Sequence, residues 1–208
     1  RSVVLFSKQG LHSRKVLNLL GAKYFVHKLS DGRSPWVFPF WNYPDEFKLI
    51  YDDGIYQIYE NSESFPRAFL AGDYKVQTDP QEILNTMFLE GLDLRKNLVL
   101  EKDPKLKLDI RNGSARVEKY LPNEVIINTK SDGNSLLFLS DSYYPGWKVY
   151  VNGRQSEIYR ADFAFRSVVV PKGEHSIKFI YDPMSFKLGL GLSILGVVLI
   201  LVGFVGDK

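Results

Sequence analysis

Residues 115–120 (ARVEKY), 124–129 (EVIINT), 136–140 (LLFLS), 147–151 (WKVYV), 155–159 (QSEIY), 165–170 (FRSVVV) and 176–181 (SIKFIY) decide the fold. They follow one another at roughly ten-residue spacing, are rich in β-branched and aromatic side chains, and have turn signals between them, so they predict successive antiparallel strands. Asn152-Gly153 is the strongest turn signal, because both central residues of a type I′ turn need positive φ. Pro171-Lys172-Gly173 supplies the next. The expected fold class is mainly β, an antiparallel β-sandwich of jelly-roll-like type with one or two short α-helices, plus one C-terminal transmembrane helix.

Towards the N-terminus the pattern becomes mixed. Asp79 is placed to cap a helix with Pro80 at its first position and Glu82 three residues after the cap. Ile83, Leu84, Met87 and Phe88 form its apolar stripe, and Gly91 is placed to end it. Lys48–Tyr51 and Ile55–Glu60 flank Asp53-Gly54 and predict a hairpin. A short apolar run covers Ala68–Ala71, a helix is expected over Ser13–Leu20, and a strand over Ala22–His27. Between them Pro35, Pro39 and Pro44 interrupt Trp36, Phe38, Phe40, Trp41 and Tyr43, which predicts an aromatic loop. The polar stretch Glu101–Asn112 reads either as a linker or as a solvated strand and loop.

Towards the C-terminus, Phe186–Val205 reads FKLGLGLSILGVVLILVGFV, with Lys187 as its charge. Roughly 20 residues at about 1.5 Å each match about 30 Å of hydrocarbon, so this run is expected to be a membrane span. Tyr181, Phe186 and Lys187 then stand at the membrane interface, where an amphipathic ring and a snorkelling cation are favoured.

Composition narrows the function classes. The formal charge of +3 arises from acids and bases spread along the chain, without the basic cluster that a nucleic acid backbone requires. Cysteine is absent, and His12, His27 and His175 are far apart in sequence, so neither a disulfide framework nor a local metal-ligand cluster is indicated. No metal and no cofactor are expected. The chain starts at Arg1 with no leader pattern after it, which suggests the tail of a larger membrane protein.

Ser140–Gly189 carries Ser-Asp-x-Tyr-Tyr-Pro-Gly-Trp, an Asn-Gly turn, Arg-Ala-x-x-Ala-Phe-Arg and Pro-x-Gly-x-His, in that order. This segment resembles the C-terminal signature of the YfhO-type family of bacterial multi-spanning membrane proteins. Upstream, LNLLGAKYFV (17–26) and ENSESFPRAFL (60–70) also resemble that family. The resemblance implies a glycosyltransferase of the GT-C kind that attaches sugars from polyprenyl-phosphate carriers to cell-envelope polymers such as teichoic acids. It places the acidic catalytic residue on an early loop with no counterpart here, so no residue of this chain is assigned to catalysis. It also implies an orientation, with the β domain outside the cytoplasm. The expected division is 1–30, an incoming helix and strand from a preceding membrane region; 31–183, an extracytoplasmic β-rich domain with an optional sub-boundary near 101–113; 186–205, the transmembrane helix; and 206–208, a cytoplasmic tail.

Candidate binding residues each have two readings. Trp147, after Pro145-Gly146, suits a sugar face with Asp141, Tyr143 or Tyr144 as polar neighbours. Alternatively, Tyr144, Trp147 and Val149 fill the sandwich core. Arg160 and Arg166 suit a phosphate or carboxylate, or else form salt bridges with Asp162, Asp141 or Glu157. His175 reads as structural. The expected partners are membrane lipid, the remainder of the parent membrane protein, and an envelope polymer or polyprenyl-phosphate sugar. An alternative is a carbohydrate-binding or structural β-sandwich on a membrane anchor, with no catalytic role. A third is a protein-binding domain that uses the loop Trp36–Tyr43.

Overall fold

The computed structural model describes residues 11–31 and 39–206. Helix α1 (Leu11–Leu19) leads into β1 (Tyr24–Lys28), which forms a small antiparallel sheet with β2 (Phe47–Asp52) and β3 (Tyr56–Asn61) in the order β1-β3-β2. Asp53 holds the expected β2–β3 hairpin turn by accepting from the backbone N–H groups of Ile55 and Tyr56. The rings of Phe25, Phe40 and Phe47 fill the inner face of this sheet together with Leu17 and Tyr59. Buried Asn61 donates to Asn18 Oδ1 and to the Ala22 carbonyl, fixing α1 against β3.

The main body is a sandwich. Strands β7 (Gly113–Leu121), β8 (Glu124–Ser131), β10 (Trp147–Val151), β11 (Arg154–Ser156) and β14 (Gly173–Tyr181) form one sheet, in the order β11-β10-β14-β8-β7. The facing sheet contains β4 (Ala68–Ala71), β5 (Asp73–Val76), β6 (Asn97–Leu100), β9 (Ser135–Ser142), β12 (Tyr159–Ala161) and β13 (Phe165–Val170), in the order β4-β9-β13-β12-β6-β5. Val125, Ile127, Val149, Ile177 and Phe179 from the first sheet meet Leu137, Leu139, Val168 and Val170 from the second. Helix α2 (Pro80–Met87) covers the other face of the second sheet, where Ile83 and Met87 pack with Leu98, Leu100, Leu136 and Phe138. With both faces covered, β9 contains the unbroken apolar run Leu136–Leu139, as expected of a strand buried on two sides.

Helix α2 starts as its sequence requires. Asp79 Oδ1 accepts from the N–H groups of Gln81 and Glu82, and Pro80 occupies the first turn. The helix joins β5 to a parallel β6, so the second sheet contains one parallel pair and the sandwich is not purely antiparallel. Sheets of five and six strands also replace the expected jelly-roll arrangement. The single strand expected over Gln155–Tyr159 is two, because the chain leaves β11 in one sheet and enters β12 in the other. The Asn152-Gly153 turn has the required positive φ at both residues, 49° and 80°.

The expected transmembrane helix is corrected. The apolar C-terminal run forms helix α3 (Met184–Gly206), but among the described residues no helix is long and apolar enough to cross a membrane. Lys187 adds a charge to the first turn, where Asp182 holds it at 2.8 Å.

Candidate functional site

A cleft of about 440 Å³ opens at the end of the sandwich from which α3 departs. Its walls include Tyr120 and the β7–β8 turn, Asp141 at the end of β9, Tyr144, Trp147 at the start of β10, Arg166 in β13, and Tyr181 at the end of β14. Trp147 and Tyr181 are direct cross-strand partners, and their rings lie 5.3 Å apart. Such a pair projects from the same face of its sheet.

An irregularity in the β9–β13 pairing positions the charged groups. The register passes from Arg166↔Leu139 to Phe165↔Ser142, leaving Ser140 and Asp141 without partners in the ladder. Bulges of this kind re-aim side chains. Here Asp141 meets Arg166, whose Nη2 donates to Oδ2 at 2.9 Å. The other oxygen, Oδ1, accepts from Arg67 Nη1 at 3.0 Å and from the Tyr120 hydroxyl at 2.9 Å. Arg67 also lies over the Tyr120 ring, with 4.7 Å to its centroid.

Arg166 is only 2% exposed. Its guanidinium lies 4.0 Å from the Trp147 ring centroid and 5.4 Å from that of Phe179. Burial pulls its pKa below the usual arginine value, against the favourable field of Asp141. The Nη2 bond leaves Nε and Nη1 buried without a hydrogen-bond partner in the protein. Burial, and then the hydrogen bond to Asp141, raise the pKa of the Tyr120 phenol.

Four of the six residues singled out as ligand-binding candidates from the sequence therefore line one cleft: Asp141, Tyr144, Trp147 and Arg166. Tyr143 lies outside it, exposed, with its backbone N–H donating to the Ala164 carbonyl. Arg160 is opposite Arg166 in the β12–β13 register, but its guanidinium pairs with Glu101 at 3.1 Å and covers Phe163. Of the three residues expected at a membrane interface, Tyr181 lines the cleft, whereas Phe186 and Lys187 lie at the start of α3.

The sequence reading did not single out Arg67 or Tyr120. Arg67 lies in the segment 60–70 (ENSESFPRAFL), whereas nothing local marks Tyr120. Asp162, expected as a salt-bridge partner for an arginine, instead accepts from the Val99 N–H within the second sheet. His175 makes polar contacts with Asn152 Nδ2 and the Lys172 carbonyl. Of the aromatic loop, Phe40 is core and Trp41 packs near His27, while Trp36 and Phe38 lie outside the described residues. Among the described residues no cluster of three or more His, Asp or Glu is arranged to hold a metal ion.

Residues 96–193 match the model of a family described as bacterial membrane protein YfhO. The matched segment includes every residue of the cleft. Over 116 residues the chain is 27% identical to a Bacillus subtilis (strain 168) protein described as uncharacterized protein YfhO; this alignment covers 46% of the chain and 14% of the relative. The chain thus corresponds to a small part of that relative's length. No solved structure gives a significant match.

Proposed function

From the premise that this chain carries a YfhO-type region of a bacterial membrane protein, we propose that its sandwich is an accessory carbohydrate-handling domain. It works outside the cytoplasm as part of a GT-C-like glycosyltransferase that transfers sugars from polyprenyl-phosphate carriers to cell-envelope polymers such as teichoic acids. The domain holds a glycan while residues elsewhere carry out transfer. The observation that supports this most is the convergence of Tyr120, Tyr144, Trp147 and Tyr181 with Asp141 and Arg166 on one open cleft. Aromatic rings suit the C–H faces of a pyranose, and a few fixed polar groups orient it.

The test is saturable binding of purified envelope glycans to the full chain, comparing wild type with Tyr144→Ala and Trp147→Ala and checking folding by circular dichroism. Tyr144 is 62% exposed, so its truncation removes cleft surface without emptying the core. Binding that weakens in a folded Tyr144→Ala variant is the expected result. A folded wild type that captures no glycan overturns the proposal.

A purely structural module is the second reading, favoured by a specific contact. The Trp147 indole lies against Arg166 and Tyr181, so it serves as internal packing at the sandwich end. On that reading Trp147→Ala unfolds the domain and Tyr144→Ala has no consequence.

A further inference from the structure

A second opening, of about 520 Å³, lies at the other end of β10 from Trp147. Its walls include Val151, Arg154, Ser156, Val169, Pro171 and His175, and no acidic residue lines it. Strand pairing puts the arginine there. Val149 and Val151 of β10 pack with the sandwich core, and their direct partners in β11 are Ser156 and Arg154. Direct partners project from the same face, so Arg154 stands on the face of β11 turned towards the second sheet. Because β11 is the last strand of its sheet, that face is open at the side. Arg154 is exposed, and among the described residues its guanidinium has no hydrogen-bond or ion-pair partner.

The neighbouring turn is braced by the protein's own contacts. Asn152 Oδ1 accepts from the Ser176 N–H at 2.8 Å, which leaves Asn152 Nδ2 at 3.0 Å from His175 Nδ1. A carbonyl can only accept, so His175 Nε2 donates to the Lys172 carbonyl at 3.2 Å and Nδ1 accepts from Asn152. The Asn152-Gly153 turn is thereby tied to β14, and preorganisation of this kind lowers the cost of binding.

Strand β11 adds main-chain partners. In a two-residue hairpin turn the flanking residues, here Val151 and Arg154, form a hydrogen-bonded pair, and the next pair, Tyr150 and Gln155, is of the non-bonded kind. The N–H and C=O of Gln155 therefore point to the open edge, away from β10. Such an edge is a template for a further strand.

We propose that this edge and opening bind an extended acidic peptide segment as an added antiparallel strand, with a carboxylate on Arg154 and an apolar side chain two residues before it. The peptide residue opposite Gln155 exchanges two main-chain hydrogen bonds with it. Side chains alternate across a strand, so the residues opposite Arg154 and Ser156 project into the opening. There a carboxylate forms a charge-assisted pair with the free guanidinium, and the apolar side chain shares the space with Val169 and Pro171. The site is separate from the cleft at Trp147 and does not depend on carbohydrate handling.

The experiment is calorimetric titration of the full chain with acetyl-Thr-Val-Thr-Asp-Thr-amide, its Asn counterpart, a form N-methylated at the central threonine, and glucuronate. Wild type should bind the Asp peptide at least about tenfold more tightly than the Asn peptide, and Arg154→Gln, at an exposed position, should remove that preference. The N-methylated peptide, which lacks the donor for Gln155, should bind more weakly than its parent to both proteins. Equal affinity for the Asp and Asn peptides, or for the methylated and parent peptides, overturns the proposal. Tighter binding of glucuronate than of the Asp peptide overturns it in favour of an acidic sugar. Binding of no peptide also overturns it, and self-association of Arg154→Val in size-exclusion chromatography then makes Arg154 a guard, an inward-facing charge that keeps the edge from pairing.

Discussion

Replacing Asp162 with asparagine should make the fold more stable at neutral pH and leave it nearly unchanged in acid. Asp162 is 1% exposed, its Oδ1 accepts from the Val99 N–H at 2.8 Å, and its Oδ2 has no partner in the protein. Burial raises its pKa from the ordinary 3.8 to about 7. Between those values the folded chain keeps a proton that the unfolded chain has lost, so stability falls as pH rises through this window. About three pKa units correspond to roughly 4 kcal/mol, and relaxation around a buried charge lowers that to about 2–4 kcal/mol. Asparagine keeps the acceptor for Val99, carries no charge to bury, and tolerates the φ of 46° found here. The assay is urea unfolding of wild type and Asp162→Asn at pH 4, 6 and 8, with detergent held constant. The stability difference between the two proteins should grow from near zero at the lowest pH to about 2–4 kcal/mol at the highest. Because other carboxylates titrate alike in both proteins, a difference independent of pH would refute the assignment of a buried, mostly protonated acid.

Three further outcomes follow from packing and pairing. Phe138→Ala removes a fully buried ring stacked 4.8 Å from Phe69, and should cost about 3–5 kcal/mol in denaturant unfolding. Asp79→Ala removes the α2 cap and should cost about 1 kcal/mol, read as a lower urea midpoint with an unchanged slope. Asp141→Asn leaves Arg166 as a buried cation without a counter-charge and should cost about 3–5 kcal/mol, whereas Arg67→Ala, with a half-exposed side chain, should cost under about 1 kcal/mol. Thermal unfolding of both variants checks that contrast.

The strands were legible where the pattern and the turns agreed. Trp147–Val151 and Phe165–Val170 have the bounds expected from sequence, because each is a β-branched or aromatic run ended by turn chemistry. Strands β5 and β6 escaped notice. Each is only four residues long, and they pair in parallel through α2, so no hairpin signal joins them. The break between β11 and β12 was equally silent, since Glu157-Ile158 contains neither Gly nor Pro to mark the passage between sheets. For α3 the apolar run forms the helix its composition predicts, but among the described residues no helix is long and apolar enough to cross a membrane.

The candidate site was legible for a different reason. Asp141, Tyr144 and Trp147 lie within one short segment, so any fold that ends β9 and begins β10 there keeps them close, and Arg166 joins through the neighbouring strand β13. Arg160 shows the limit of this reasoning: it is opposite Arg166 across the ladder, yet its head group pairs with Glu101 at 3.1 Å. Arg67 and Tyr120 are 74 and 21 residues from Asp141, and only the bulge at Ser140-Asp141 brings the carboxylate to both. A bulge depends on pairing register, which a single strand's sequence does not contain. Arg67 and Tyr120 therefore occupy both acceptor directions of Asp141 Oδ1, and Arg166 has only Oδ2 to bond. The unpartnered donors of Arg166 thus trace back to the pairing register of β9 and β13.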